Sequence, residues 1–279
     1  MTFRSKPLRA ALAGVAALSL SMLAACANYS TPTTAAPQGS GSAASAPTLI
    51  KAGTLLVCTH LSYKPFQFKD ESGKVVGFDV DMMDLVAKKL NATQEIVDID
   101  FAQITSGAVF AAKKCDAGAG ATTITDARKQ AIDFSDPYFK ATQALLVKSD
   151  APYTDLAGLK GQTVGVQTDT TGQIYAEKNK DANGYAVKVF DDMPSSLAAV
   201  QAGTIQAAIN DNGVVFDYAK ANPTTKVVKE FETGEQYGFM AQKGNTAMIT
   251  VINEVLAAAK TDGSYNTIYK KWFGSEPQA

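Results

Sequence analysis

The chain has 279 residues, with 26 basic and 27 acidic side chains, one histidine and three cysteines, and a net charge of −1. Without Arg4, Lys6 and Arg9 at its start, the balance is 23 against 27, a net of −4. That charge leaves no basic patch for nucleic acid, and the absence of a Gly-x-x-x-x-Gly-Lys-Ser/Thr segment leaves no phosphate-cradling loop for ATP.

Arg4, Lys6 and Arg9 precede an alanine-rich apolar run over 10–22. The run has the length of a signal-peptide core and is short for a membrane span. Leu23-Ala24-Ala25-Cys26 follows at once and resembles a bacterial lipoprotein cleavage site. Residues 1–25 are therefore expected to be a lipoprotein signal peptide, with cleavage before Cys26 and acylation of that residue. The alternative is an ordinary secretory signal in which Cys26 is incidental. Residues 26–47 carry no charge and almost no large apolar side chain, the composition of a disordered tether. About 20 such residues reach roughly 25 Å.

The body begins near residue 48 and is long enough for one large domain or two small ones. The apolar run 54–59 predicts a buried strand, and Gly73 and Gly77 punctuate a hairpin. Val80, Met83, Ala87 and Leu90 recur at helical spacing over 79–90, with Asp79 and Asp81 in the first turn, where the helix dipole favours acids. A strand is expected over 95–99, a helix over 101–114 and a small glycine-rich strand over 116–121. A second set follows the turn at 156–161: strand 163–166, helix 171–180, strand 186–190, helix 194–201 with proline in its first turn, strand 204–210, helix 213–221 and strand 226–229. The tail adds a strand over 237–242 and helices over 246–261 and 265–272.

Strand–helix alternation implies an α/β fold with parallel sheets. Two similar units in tandem imply two lobes, with the terminal helices packing back on the first. The expected division is lobe 1 over 49–142 and 236–279 and lobe 2 over 143–235, with two crossings between them. Beyond Cys26 only Cys58 and Cys115 remain. An exported pair can form a disulfide. However, Cys58 falls late in one predicted strand and Cys115 just before another. If those strands run side by side in parallel, the thiols lie several residues apart, which disfavours a bridge.

The segment 120–140 carries a hydroxyl cluster (Thr122, Thr123, Thr125) at a strand end and, a turn later, Arg128. A planar, permanently charged fork beside hydroxyls suits a small carboxylate. The competing reading pairs Arg128 with Asp126 or Asp133.

Gly77-Phe78-Asp79-Val80-Asp81, Ile124-Thr125-Asp126-Ala127-Arg128, Asp133-Phe134-Ser135-Asp136-Pro137-Tyr138, Leu159-Lys160-Gly161 with Val164-Gly165-Val166, and Tyr269-Lys270-Lys271-Trp272-Phe273-Gly274 occur in one order across the body. Together they resemble the extracytoplasmic (periplasmic-type) solute-binding proteins of polar amino-acid ABC transporters, family 3. The tail Gly263-Ser264-Tyr265-Asn266-Thr267-Ile268-Tyr269 looks most like that of glutamine-binding proteins. The resemblance implies a two-lobe fold joined by two hinge strands and closing over a ligand.

By the same resemblance, Arg128 and Thr123 meet the ligand's α-carboxylate, Ala121 acts through its backbone carbonyl, and Asp211 anchors the α-ammonium. For Asp211 the competing role is a helix N-cap. Tyr63 and Phe101 match aromatic walls that otherwise read as ordinary core. Thr170 and Thr171 match a loop that supplies donors to the carboxylate; Asp169 precedes them where the family usually has glycine, which puts the loop's backbone in question. His60 and Gln167 match positions facing the ligand side chain. Neither is an acid, which argues for a neutral polar amino acid, glutamine first and acidic ligands second. For His60 the competing role is a structural histidine outside the pocket.

The implied function is capture of an L-amino acid and delivery to an ABC permease and its ATPase by a lipid-anchored, monomeric protein of the periplasm or outer face of the cell membrane. No enzymatic activity, metal or cofactor is expected. Two rival roles are an arogenate or prephenate dehydratase of the same fold and a ligand-presenting sensor.

Overall fold

The computed structural model describes residues 46–277. The predicted signal peptide, Cys26 and the tether up to residue 45 lie outside the described residues. Among the described residues no helix is long and apolar enough to cross a membrane.

Strand β1 (Thr54–Thr59) is buried at every position except the half-buried Leu56, as a short apolar run should be. β2 (Phe68–Lys69) and β3 (Val75–Val76) form the antiparallel hairpin. Helix α1 (Phe78–Lys89) starts at Gly77, whose φ is 142° and where a Cβ would lie 2.0 Å from the carbonyl oxygen of Phe66. Only glycine fits there. β4 (Thr93–Asp98) pairs in parallel with β1. The expected helix over 101–114 is two short pieces, α2 (Phe101–Thr105) and α3 (Ala108–Ala111). The break is Gly107, with φ 78° and a hypothetical Cβ 2.8 Å from the carbonyl of Ala131. β5 (Ala117–Gly118), α4 (Asp126–Ala131) and β6 (Ile132–Phe134) follow.

β7 (Phe139–Lys148) opens a second sheet. β8 (Thr163–Gln167), α5 (Thr171–Asn183), β9 (Ala186–Phe190), α6 (Met193–Gln201), β10 (Ala207–Asp211) and α7 (Asn212–Ala221) alternate as expected. β11 (Thr225–Tyr237) runs well past the strand read at 226–229, antiparallel to β7. Its end touches the first lobe, where the Ile124 N–H donates to the Gln236 carbonyl at 2.8 Å. β12 (Met240–Gln242) then rejoins the first sheet, followed by α8 (Thr246–Asp262) and α9 (Ser264–Phe273).

The result is two five-stranded sheets, ordered β4-β1-β5-β12-β6 and β11-β7-β10-β8-β9. Phe66 and Phe78 are fully buried and meet Phe139 and Phe273 edge-on or tilted at 5.0 to 6.2 Å. The Tyr265 hydroxyl donates to the Tyr138 carbonyl at 2.6 Å. The tail helices are thereby tied to the first lobe by apolar burial with the tyrosine's polar end satisfied.

The expectation of two separated thiols is corrected: Cys58 and Cys115 form a disulfide. β1 and β5 are indeed parallel neighbours, with Cys58 opposite Gly118. Cys115, however, precedes β5 and lies in the chain's turn from α3, so strand register does not govern it. Its Cα is 5.6 Å from that of Cys58, within bridging range. The bridge is buried among Ile104, Val109, Phe110, Ile132 and Met240.

Candidate ligand-binding site

The C-terminal ends of β1, β5, β8 and β10 and the loops after them face one cavity. This is the usual place for a ligand in open α/β sheets. All ten residues singled out from the sequence line it: His60, Tyr63, Phe101, Ala121, Thr123, Arg128, Gln167, Thr170, Thr171 and Asp211. Gln67 and Gly120 complete the lining, and sequence reasoning missed both. The cavity measures about 20 Å³, room for a water or two.

Arg128 stands in the first turn of α4 because the Thr125 hydroxyl caps that helix, accepting the Arg128 N–H at 3.2 Å. Its guanidinium then folds back. One nitrogen donates to the Thr123 carbonyl and the other to the Asp169 carbonyl, both at 2.8 Å. It also lies 5.2 Å over the ring of Phe101, a cation–π contact. Neither acid of the competing reading engages it: Asp126 pairs with Lys129 and Asp133 with Lys243. Burial presses the Arg128 pKa down, while Asp211 and Glu235 favour its charge. Guanidinium remains protonated in such settings.

Asp211 ends β10 and occupies the N-cap position of α7, but its side chain makes no capping bond. Its carboxylate instead accepts from Gln143 Nε2 at 2.5 Å and from the Tyr237 hydroxyl. Burial first, and then the neighbouring Glu235, push its pKa up to about 6. The hydroxyl of Tyr63 donates to Asn210 Oδ1 at 2.6 Å, joining the first lobe to β10.

Ala121 has a positive φ of 47°. Its N–H donates at 2.8 Å to Asp79, which is fully buried and also accepts from Tyr138. Burial pushes the Asp79 pKa up to about 7 against those donors. The first-turn acid of α1 thus holds the floor of the cavity, a role its helical spacing did not reveal.

Asp169 replaces the expected glycine and still adopts a glycine-like backbone, with φ 58°. Aspartate is among the few side chains that tolerate this region. The left-handed turn aims its carbonyl at Arg128. Thr170 caps α5, accepting the Gln173 N–H at 3.0 Å while its own proton goes to the Gln167 carbonyl at 2.7 Å. Its hydroxyl is spent on structure.

One cluster of polar atoms in the cavity ends without partners. The ring Nδ1 of His60 lies 3.1 Å from the Ile99 carbonyl, which assigns a proton to Nδ1; in the neutral tautomer so oriented, Nε2 is the acceptor. His60 Nε2, Gln67 Oε1 and Gln167 Oε1 are buried and have no hydrogen-bond partner among the described residues. Behind them lies a network that sequence reasoning did not find. Gln143, Asn210, Glu235 and Tyr237 are all buried and link Asp211, Thr123 and Thr171. Gln143 interrupts an apolar strand, and Glu235 stands two residues before a buried tyrosine, on the same strand face. Those were the available signals.

The model of the bacterial extracellular solute-binding proteins, family 3, matches residues 55–275. The probable histidine-binding protein of Neisseria gonorrhoeae is 31% identical over 247 residues, 85% of this chain and 90% of its own. An ancestral arginine-binding protein solved with arginine superposes with a TM-score of 0.75 at 41% identity, covering 80% of this chain and 99% of that one. An ancestral arginine-binding protein solved with glutamine gives 0.75 at 40%, over 81% and 100%.

Proposed function

The chain belongs to the bacterial extracellular solute-binding proteins of family 3, and we propose that it captures one L-amino acid between its lobes for an ABC importer. The observation that carries this reading is the convergence of Arg128, Thr123 and Asp211 on one cavity. Arg128 and Thr123 would hold the α-carboxylate, with backbone groups around Ala121, Thr170 and Thr171. Asp211 would hold the α-ammonium. A zwitterion satisfies both charges at once, and closure of the lobes desolvates them together. In this reading the lobes are 49–142 with 236–279, and 143–235. Tyr63 and Phe101 flank the ligand.

His60 Nε2, Gln67 Oε1 and Gln167 Oε1 would face the ligand side chain as acceptors. They favour a side chain rich in N–H donors and disfavour a carboxylate, which brings only acceptors. Glutamine stays first. Arginine is the nearest rival, supported by two structures of ancestral arginine-binding proteins, one solved with arginine and one with glutamine.

The test is thermal shift and calorimetry across the twenty amino acids. A ligand at 100 times its Kd should stabilise the protein by about 2.7 kcal/mol. No response to any of them rejects the proposal. Glutamate or aspartate as best ligand overturns the side-chain assignment. Affinity should also fall about tenfold from pH 7 to pH 5. Below about 6 Asp211 is increasingly protonated, and the neutral acid cannot pair with an ammonium.

The anchor belongs to the same proposal: acylated Cys26, on the outer face of the cell membrane or in the periplasm, tethers the body beside the permease. Intact mass of the protein from membranes should show a fatty-acylated Cys26 as the first residue. An unmodified N-terminus beyond Cys26 removes the anchor from the account.

A further inference from the structure

Glu235 lies on β11, the strand that returns to the first lobe, and is 8% exposed. One carboxylate oxygen accepts from the Thr123 hydroxyl at 2.6 Å and from the Thr171 hydroxyl at 2.7 Å. The other accepts from Gln143 Nε2 and from the Thr233 hydroxyl, both at 2.8 Å. Thr123 follows β5 of the first sheet, and Thr171 starts α5 against the second. Glu235 therefore joins the two lobes through the pair of hydroxyls on either side of the cavity. Among the described residues no lysine or arginine forms an ion pair with it. Its charge is met by hydrogen bonds from neutral donors, which charge assistance strengthens.

A threonine hydroxyl has one proton. When Thr123 and Thr171 give theirs to Glu235, they present only lone pairs elsewhere, and cannot donate to a ligand carboxylate at the same time. We infer that Glu235 is an internal competitor for the ligand's α-carboxylate: a latch between the lobes whose bonds to Thr123 and Thr171 are surrendered when a ligand carboxylate takes those hydroxyls. This rests on the reading that Arg128 and Thr123 hold an amino acid's carboxylate. It goes beyond that reading by making binding an exchange of one carboxylate for another. Affinity is then tempered by a residue that does not line the cavity, and the lobes have a reason to stay together before a ligand arrives.

The test uses Glu235→Gln, a near-isosteric change that removes the charge. Three measurements are made on wild type and variant. The first is the radius of gyration of ligand-free protein by small-angle scattering. The second is Kd for the amino acid giving the largest thermal shift, and the third is Kd for the corresponding amine lacking the carboxylate. The expected results are a larger ligand-free radius for the variant, at least tenfold tighter binding of the amino acid, and no tightening for the amine. Unchanged or weaker amino-acid binding overturns the competition. An unchanged radius overturns the latch. Equal tightening of amino acid and amine assigns the effect to something other than the carboxylate, and also overturns it. If neither protein responds to any amino acid, the proposed function fails, and the scattering comparison alone decides whether Glu235 holds the lobes together.

Discussion

Replacing Arg128 by alanine should all but erase the response to amino acids. Truncating one partner of a hydrogen-bonded, desolvated charge pair costs about 2–5 kcal/mol, and about 3 kcal/mol weakens binding roughly 150-fold. A ligand concentration that stabilises wild type by about 2.7 kcal/mol would then stabilise the variant by only about 0.3 kcal/mol. The protein should survive the change, because the arginine's bonds go to two backbone carbonyls at the cavity edge, not to a buried acid. Arg128→Lys should not restore binding. A single ammonium cannot span the Thr123 and Asp169 carbonyls and a carboxylate with the geometry of a planar fork. An affinity within about tenfold of wild type in Arg128→Ala, measured by calorimetry, would place the carboxylate site elsewhere.

The second large effect is on stability. The bridge between Cys58 and Cys115 closes a loop with a sequence separation of 57. Chain-entropy arguments give about 4 kcal/mol for such a loop, through restriction of the unfolded chain. For a body of this size that is a fall in Tm of roughly 8–16 °C. Thermal unfolding of Cys58→Ala/Cys115→Ala, or of wild type under a reductant strong enough to open the bridge, should show it. Alanine is the better probe, since serine would place hydroxyls among Phe110, Ile132 and Met240. A Tm within about 2 °C of wild type in the double variant would dismiss the entropic account. Ligand affinity should fall as well. The bridge ties the end of β1, which leads to His60 and Tyr63, to the approach of β5, which leads to Gly120, Ala121 and Thr123.

How much of this was legible depended on whether a residue's role is written in its neighbours along the chain. Arg128 was legible because it is a charge set a turn after a strand end and a hydroxyl cluster, where a charge needs a reason; Asp211, at the end of an apolar strand, took its role from the family resemblance. Tyr63, Phe101, Thr123, Thr171, His60 and Gln167 were implied by the family resemblance, and the cavity gathers them all. Helix 101–114 was misread because its apolar spacing is helical throughout. The break at Gly107 is imposed by the Ala131 carbonyl, 24 positions away. The disulfide was misread because strand register was extended through a turn.

From the sequence alone came the alternation of strands and helices, the two tandem units, the cation at Arg128 and, through the family resemblance, its partner Asp211. These depend on local periodicity and on single residues whose chemistry is unusual for their place. Only the tertiary structure decided that Cys58 meets Cys115, that Asp79 holds Ala121, that Asp169 keeps a left-handed backbone, and that Glu235 draws Thr123 and Thr171 together. Each of these joins groups far apart in the chain except the turn at Asp169, and that turn is stabilised by Arg128, 41 positions before it. A hydrogen bond or a bridge is set by distances of a few ångströms, and sequence spacing does not carry those distances once the chain has crossed between sheets.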